Sequence, residues 1–432
     1  MGFFNTLRAF ERIWIRSFFR LLRKKKQIYK KTGDSGELAA WTRSALAGAA
    51  PPDARPRLAM LSPAPPADTG IAHFAAAYFQ SADWRLDFYA PGAPEDLRQL
   101  GGNTCGLPLL AFGRAVPPEA YDAFLLQMGN SPHHLPTLEA WARRVPAGRR
   151  LMYLHEAQLV RLWAPWCEGS PWRLSRLYRS HYPDRRFTVM DLFKQQAPGS
   201  RVPRGLRPLL ELARPDLILV NSACCEDLLR ADLDGWDGPV PPIRRLFHPV
   251  PAVATGPAAR PGRGLRIGHF GSLGNGKGLA VMIEAMMMAQ TWGPATFVVA
   301  GYGVERVARR HGLDAIPWVE IHDSPSHGDL TRLMASVDAG VQLRPSTQGE
   351  SSGVVSLLLG LDKPVVVNRT GSFAELGEAV IAVAPDARAD EVASALKTAV
   401  TAPPLAAIRE LAAQRNLAAF HAAILGLLRE RP

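Results

Sequence analysis

Short apolar runs, each giving way to a turn-rich loop and then to a segment of helical period, recur along this chain, and that alternation restricts it to few folds. "RLAML" at 57–61 is followed by "SPAPPADTG" and then by "IAHFAAAYF". "PDLILVNSACCEDLLR" repeats the order, with Asn221 or Ser222 placed to cap the helix. "YDAFLLQMGNS" and "RRLMYLHE" carry further strand ends. Strands separated by helices pair in parallel, in a sheet covered on both faces. After "HPVPAVATGPAARPGRG", residues 248–264, whose Pro, Gly and Ala mark a linker, a second series begins. Its strands are "RIGHFGS", "ATFVVAG", "WVEIH", "DAGVQL", "KPVVVN" and "AVIAVA". The expectation is an α/β protein with two parallel-sheet domains, 57–247 and 265–400, facing a cleft. A helical tail, 401–432, is expected to pack back toward the first domain. Such sheets bind ligands beyond the carboxyl ends of their strands, so the loops there should hold the chemistry.

Ahead of these domains stands a basic arm and spacer, residues 1–56. From Met1 to Lys31 ten Lys and Arg oppose Glu11 alone, a charge of +9 out of the chain's +12, so the remaining 401 residues are nearly neutral. Arg8, Arg12, Arg16 and Arg20 stand four apart, while Phe3, Leu7, Phe10, Trp14, Phe18 and Leu21 recur at three and four. This two-faced helix has an Arg in every turn. It therefore lacks the roughly 20 apolar residues of a spanning segment and the apolar core of a secretory signal. The expected role is to lie on an anionic membrane surface, aromatic face down. A helix docked on its own protein and a nucleic-acid arm are the alternatives; the neutral body argues against nucleic acid as a partner. Cys105, Cys167, Cys224 and Cys225 show neither a disulfide framework nor metal-ligand spacing.

Two loops concentrate the functional signal. "GSLGNGKG", 271–278, follows a strand and opens the helix "LAVMIEAMMMA"; small residues let the backbone approach a phosphate, and Lys277 adds a full charge. The spacing is not that of a Walker motif. "GESSG", 349–353, likewise joins the strand "DAGVQLR" to a helix, so two helix starts, at Lys277 and at Ser351, Ser352 and Gly353, face one anion. Glu350 would repel a phosphate, so its expected task is to accept hydrogen bonds from hydroxyl groups farther along the ligand. A diphosphate bearing a sugar meets both demands.

At this point the chain resembles the retaining, nucleotide-sugar-dependent glycosyltransferases of the GT-B fold, in the large fourth family (glycosyl transferases group 1). "GSLGNGKG", "GESSGVVSLLLGLDKPVVV" and "GSFAEL" occupy the places of that family's second-domain motifs. "SPAPPADTGIAHF", "QMGNSPHH" and "YLHE" resemble its first Gly-rich loop, Gly-Asn and His-acid signatures, over about residues 57–400. The resemblance implies two Rossmann-like domains and transfer of a hexose from a GDP- or UDP-linked sugar with the anomeric configuration kept. Neither metal nor cofactor is implied. Carried over by position, Lys277, Gly271 and the amides of Ser351, Ser352 and Gly353 hold the diphosphate, and Gly70 lies near it. Glu350 binds the donor sugar, His155 faces the transferred sugar, and Asn130 belongs to the Gly-Asn signature.

The chain departs from the family twice. Ser272 stands where an Arg is usual, and Leu358 where a second Glu meets the ribose; Arg344 either restores some positive charge or is a surface residue on the rim. The composition, rich in Ala, Arg and Pro, suggests a bacterial source. With the basic arm, it leads to the expectation of a cytoplasmic enzyme, peripheral on the inner face of the cell membrane, acting on a lipid-linked or glycan acceptor in surface polysaccharide synthesis. A catalytically weak GT-B protein serving as a membrane-bound assembly partner is the alternative. Glu156 is expected to orient His155 or to cap a helix, His133 and His134 to be surface residues, and Met286–Met288 to be core. At 322–327 a cap by Ser326 explains the sequence better than metal ligation by His322, Asp323 and His327.

Overall fold

The computed structural model describes residues 55–65, 67, 69–91, 109–111, 121–145, 148–194, 199–253 and 264–430. The basic arm lies outside these residues, as does most of the Pro-rich linker. Two compact units divide the chain. One takes in the residues through Val220, Glu226–Arg245 and those from Ile424 onward, and the other Asn221–Cys225 and Leu246–Ala423.

The first unit is built on seven parallel strands: β1 (Arg57–Leu61), β2 (Arg85–Ala90), β3 (Leu109–Ala111), β4 (Ala123–Met128), β5 (Arg150–Leu154), β6 (Leu217–Val220) and β7 (Ile243–Arg245). They lie in the order β3-β2-β1-β4-β5-β6-β7. The chain therefore works outward from β1, returns to place β4 beside it, and proceeds outward on the other side. Every residue of β4, "AFLLQM", is buried, as is every residue of β6, "LILV". That is what a central strand covered on both faces requires, and it explains why these runs are continuous rather than alternating. The strands not expected from sequence are β2, β3 and β7. "RLDFYA" in β2 carries two charged residues, and β3 and β7, of three residues each, are too short to show a period. At the end of the chain, the Glu430 carboxylate accepts from Arg244 Nη1 at 2.6 and 2.8 Å and from Arg149 Nη2 at 3.3 Å, which ties the last residues to this unit.

The second unit repeats the plan with β8 (Leu265–Phe270), β9 (Ala295–Gly301), β10 (Val319–Asp323), β11 (Ala339–Gln342), β12 (Val365–Asn368) and β13 (Ile381–Val383), in the order β10-β9-β8-β11-β12-β13. All pairings are parallel. Alternation along the strands splits its core into two layers. Val299, Val341 and Val366 pack with Met282, Met286 and Leu396 on one face. Val298, Val365 and Val367 pack with Met334, Leu358 and Ile408 on the other. Each such side chain, removed from water, contributes about 1.5–3 kcal/mol. Of the expected Met286–Met288 core run only Met286 is buried. Met287 and Met288 are 60% and 41% exposed, because three consecutive residues of a helix cannot share one face.

Candidate functional site

In each sheet the strand order reverses at one place, between β1 and β4 and between β8 and β11. The loops leaving the carboxyl ends of those strands are where an open α/β sheet accommodates a ligand.

In the first unit this position gathers Gly70, Asn130 and His155. Gly70 opens the helix Gly70–Tyr78, capped by Thr69, whose Oγ1 accepts from the amide of Ile71 at 3.3 Å. A Cβ on Gly70 would meet nothing within 4 Å, so packing within this unit does not demand glycine there. Gly129 differs: a Cβ would fall 2.3 Å from Ile71 Cδ1. Asn130 is held on both sides, its amide donating to Glu156 Oε1 at 2.9 Å and its Oδ1 accepting from the amide of Arg161 at 2.7 Å. Glu156 thus clamps the Gly-Asn loop. His155, just past β5, is 7% exposed, its Nε2 lies 2.7 Å from Gln127 Oε1, and its ring meets Phe74 and Tyr153 edge-on. His134 is fully buried, contrary to the expectation of a surface residue. Its Nδ1 donates to the carbonyl of Gln127 at 3.1 Å, and burial pushes its pKa down to about 3.

In the second unit the loops after β8 and β11 bring together Gly271, Lys277, Arg344, Glu350 and the Ser351–Gly353 helix start. Gly271 (φ +95) turns the chain out of β8, and Gly278 (φ +63), after Lys277, starts the helix Leu279–Ala289. A Cβ on Gly278 would lie 3.0 Å from Leu343. This glycine is demanded twice, by backbone and by packing. Glu350 is engaged from three sides. Its Oε2 accepts from the amide of Gln348 at 2.7 Å and from Thr347 Oγ1 at 3.0 Å, and its Oε1 lies 3.3 Å from Arg344 Nη1. The same Arg344 nitrogen donates to the carbonyl of Glu350 at 3.3 Å, and the guanidinium covers the Phe373 ring at 5.1 Å. Arg344, with 16% of its side chain exposed, is therefore an anchored partner of Glu350 and not a loose rim residue. Ser351 donates to the carbonyl of Asn221, and Ser352 caps the helix Gly353–Gly360 by accepting from the amide of Val355. The amides of Gly353 and Val354 lie ahead of the intrahelical ladder and give that end its partial positive charge.

Ser272 is exposed and Leu358 is fully buried in the core beside Gly340. Ser222 is the cap after β6: its Oγ accepts from the amide of Cys225 at 3.0 Å and donates to the carbonyl of Gly349 at 2.6 Å. Glu375, in "GSFAEL", has a task that the motif does not signal. Its carboxylate accepts from the amides of Ala223 and Cys224, both at 2.9 Å, at the start of a helix where negative charge is favoured. Ser326 caps the helix His327–Ser336 by accepting from Asp329, as expected.

Behind Lys277 and Arg344 lies His269 on β8, 1% exposed. Burial pushes its pKa from 6.5 down to about 4; the carbonyls of Val341 and Ser272 pull it up, and the charges of Lys277 and Arg344 press it down again. Burial likewise holds His248 at about 4. These folded values, with that of His134, lie below 6.5, so as pH falls the unfolded chain takes up protons that the fold refuses. Stability is complete above pH 6.5 and should drop between about pH 6.5 and 4, by up to ~1.4 kcal/mol per pH unit for each histidine. Thermal unfolding at pH 7.5 and pH 5 measures this, and His269→Gln should flatten the profile. Equal stability at both pH values would contradict it.

No protein-family model and no curated protein matches the chain significantly. Solved structures do. HepE of Anabaena, determined in complex with UDP-glucose, aligns with a TM-score of 0.57 at 16% identity over 87% of this chain and 99% of that one. The same protein in complex with UDP and glucose gives 0.56 at 16% identity, over 87% and 100%. Sucrose-phosphate synthase of Thermosynechococcus elongatus gives 0.52 at 15% identity, over 87% and 98%. At such identities the likeness speaks to the fold, and the fold of this chain is GT-B.

Proposed function

We propose that this chain is a retaining glycosyltransferase that moves a hexose from a nucleoside diphosphate sugar to a lipid-linked or glycan acceptor. One observation carries the reading. Where the order of the second sheet reverses, the Lys277 loop and the start of the helix Gly353–Gly360 follow adjacent strands, and a carboxylate, Glu350, is fixed just ahead of that helix. Lys277 and the helix-start amides bind the diphosphate, and Glu350 receives hydroxyls of the donor sugar. The bond from the anomeric carbon to phosphate breaks while the acceptor oxygen bonds to the same face, and the acceptor's proton passes to the departing phosphate oxygen. The cationic and dipolar groups of the chain stabilise the leaving diphosphate without calling for a metal ion. His155 faces the transferred sugar, and Gly70 leaves room for the phosphate. HepE, of the same fold, was determined with UDP-glucose.

Lys277→Ala should weaken UDP or GDP binding by about 1.5–3 kcal/mol, the size of a charge-assisted hydrogen bond, without unfolding the chain. Calorimetry with both nucleotides tests this, and an affinity equal to the parent's would place the phosphate elsewhere. A panel of nucleotide sugars then identifies the donor.

Residues 1–31 hold the enzyme on the cytoplasmic face of the membrane, where a lipid-linked acceptor in surface polysaccharide synthesis resides. Their +9 charge and the aromatic and apolar residues recurring at three and four support this. Removing them should release the protein from anionic vesicles while sparing nucleotide binding, since each basic residue near such a surface contributes about 1 kcal/mol. Unchanged sedimentation with vesicles would refute it. A catalytically weak assembly partner is the second reading, favoured by the burial of Leu358 where the family carries its second Glu.

A further inference from the structure

The helix Pro171–His181 of the first unit turns outward a face that the proposed reaction does not use. Ser170 caps it, its Oγ accepting from the amide of Arg173 at 3.3 Å, and Pro171 opens its first turn. Leu174 and Tyr178, four apart, are buried, and the Tyr178 ring stacks on that of Tyr182 with centroids 6.0 Å apart. These contacts pin one side of the helix to the unit. By the helical period Trp172, Arg176 and Arg179, at i, i+4 and i+7, share the opposite side. All three are exposed.

A face meant for water alone gains nothing from an exposed indole. Trp172 is 66% exposed, the largest fraction among the bulky apolar side chains of the described residues, and the Arg176 guanidinium covers its ring at 4.9 Å. The helix holds three Arg and neither Asp nor Glu. Arg173 pairs with Glu168 at 2.8 Å, whereas Arg176 and Arg179 have no carboxylate partner among the described residues. An indole has an apolar body and a polar N–H, which suits the boundary between head groups and acyl chains, and Arg can lay its stem along apolar surface while its charge meets phosphate. The face is thus complementary to a surface that is anionic outside and apolar beneath. The preceding helix, Val160–Trp166, starts at the Gly-Asn loop, where the amide of Arg161 donates to Asn130 Oδ1 at 2.7 Å, so the face follows closely in the chain on the loops of the first unit's site.

We propose that this face is a second contact with an anionic bilayer, Trp172 entering the head-group layer while Arg176 and Arg179 meet lipid phosphates. The inference rests on the membrane location proposed above: residues 1–31 tether the chain, and the face orients the first unit on the surface.

Sedimentation of the full chain with vesicles of equimolar phosphatidylglycerol and phosphatidylcholine tests it. The combined variant Trp172→Ala, Arg176→Ala, Arg179→Ala should lower the partition coefficient at least about tenfold, since each basic residue near such a surface contributes about fivefold. Its thermal transition should match the parent's, because the substituted side chains are exposed. Arg306→Ala with Arg310→Ala, exposed on a helix of the second unit, removes the same charge and should leave the partition coefficient unchanged. Trp172→Phe with Arg176→Lys and Arg179→Lys keeps ring and charge and should bind as the parent does. Equal partition of the combined variant and the parent, or an equal loss in the Arg306 and Arg310 control, overturns the proposal. So does a loss of binding to duplex DNA in place of vesicles, which would give the face to nucleic acid. Deletion of residues 1–31 reads the tether separately. Binding unchanged by the deletion but lost in the combined variant would refute the tether and keep the face, and the reverse pattern would keep the tether and remove the face.

Discussion

Glu350→Gln should reduce turnover with the true nucleotide sugar by on the order of a hundredfold, or about 2.7 kcal/mol, while binding of the free nucleoside diphosphate changes little. The geometry makes this substitution informative. A glutamine keeps an oxygen that can accept from the amide of Gln348 and from Thr347 Oγ1, so the loop retains its shape. It loses the negative charge, which under the proposed role weakens bonds from sugar hydroxyls and in any case leaves Arg344 without the carboxylate now 3.3 Å from it. If Glu350 serves only to hold its own loop, the outcome reverses: the thermal transition falls and turnover per folded molecule does not. Full activity of Glu350→Gln on a verified donor and acceptor would remove the carboxylate from the sugar-binding role. A protein with no turnover to lose would be the assembly partner of the second reading.

A larger effect on stability is expected from Gly301→Ala. Gly301 ends β9, and a Cβ there would fall 2.1 Å from the carbonyl oxygen of Gly271 and 2.5 Å from its carbon, both backbone atoms with no rotamer to yield. Overpacking against backbone should cost about 3 kcal/mol, which for a unit of this size lowers the thermal transition by roughly 6–12 °C. Because Gly271 begins the loop that carries Lys277, nucleotide affinity should fall as well. Gly274→Ala is the control. Gly274 lies in the same loop with extended backbone and nothing within 4 Å of the added carbon, so it should unfold as the parent does. Equal stability of Gly301→Ala and the parent would mean that the crossing of these two glycine segments is not as close as described.

Much of the second unit was legible in advance because its signals are local. "ATFVVAG" and "KPVVVN" are continuous apolar runs bounded by turn residues, and a strand buried on both faces can read no other way. Gly278 was legible as part of a loop, but the reason for it lies in Leu343, 65 positions along the chain. What misled was local composition read without helical period or tertiary placement. Met287 and Met288 belong to an apolar helix yet face solvent, and His134 was assigned to the surface from its position after a proline, although the fold turns it inward.

By itself the sequence determined the parallel α/β architecture and most strands of the two series, and it singled out the Lys277 and Glu350 loops as candidate places for chemistry. The alternation of apolar runs with turns is a property of neighbouring residues and survives without any knowledge of what packs where. Only the tertiary structure decided how those residues are held. The pairing of Arg344 with Glu350, the clamp of Glu156 on the amide of Asn130, the capping of the Ala223 helix by Glu375, and the chain of contacts from Met60 through Gln127 to His155 all join positions that sequence order keeps apart. Their partners are chosen by strand order and register. In a sheet that places β4 between β1 and β5, the buried Gln127 amide meets Met60 on one neighbour and His155 just past the other, and no spacing along the chain records that choice.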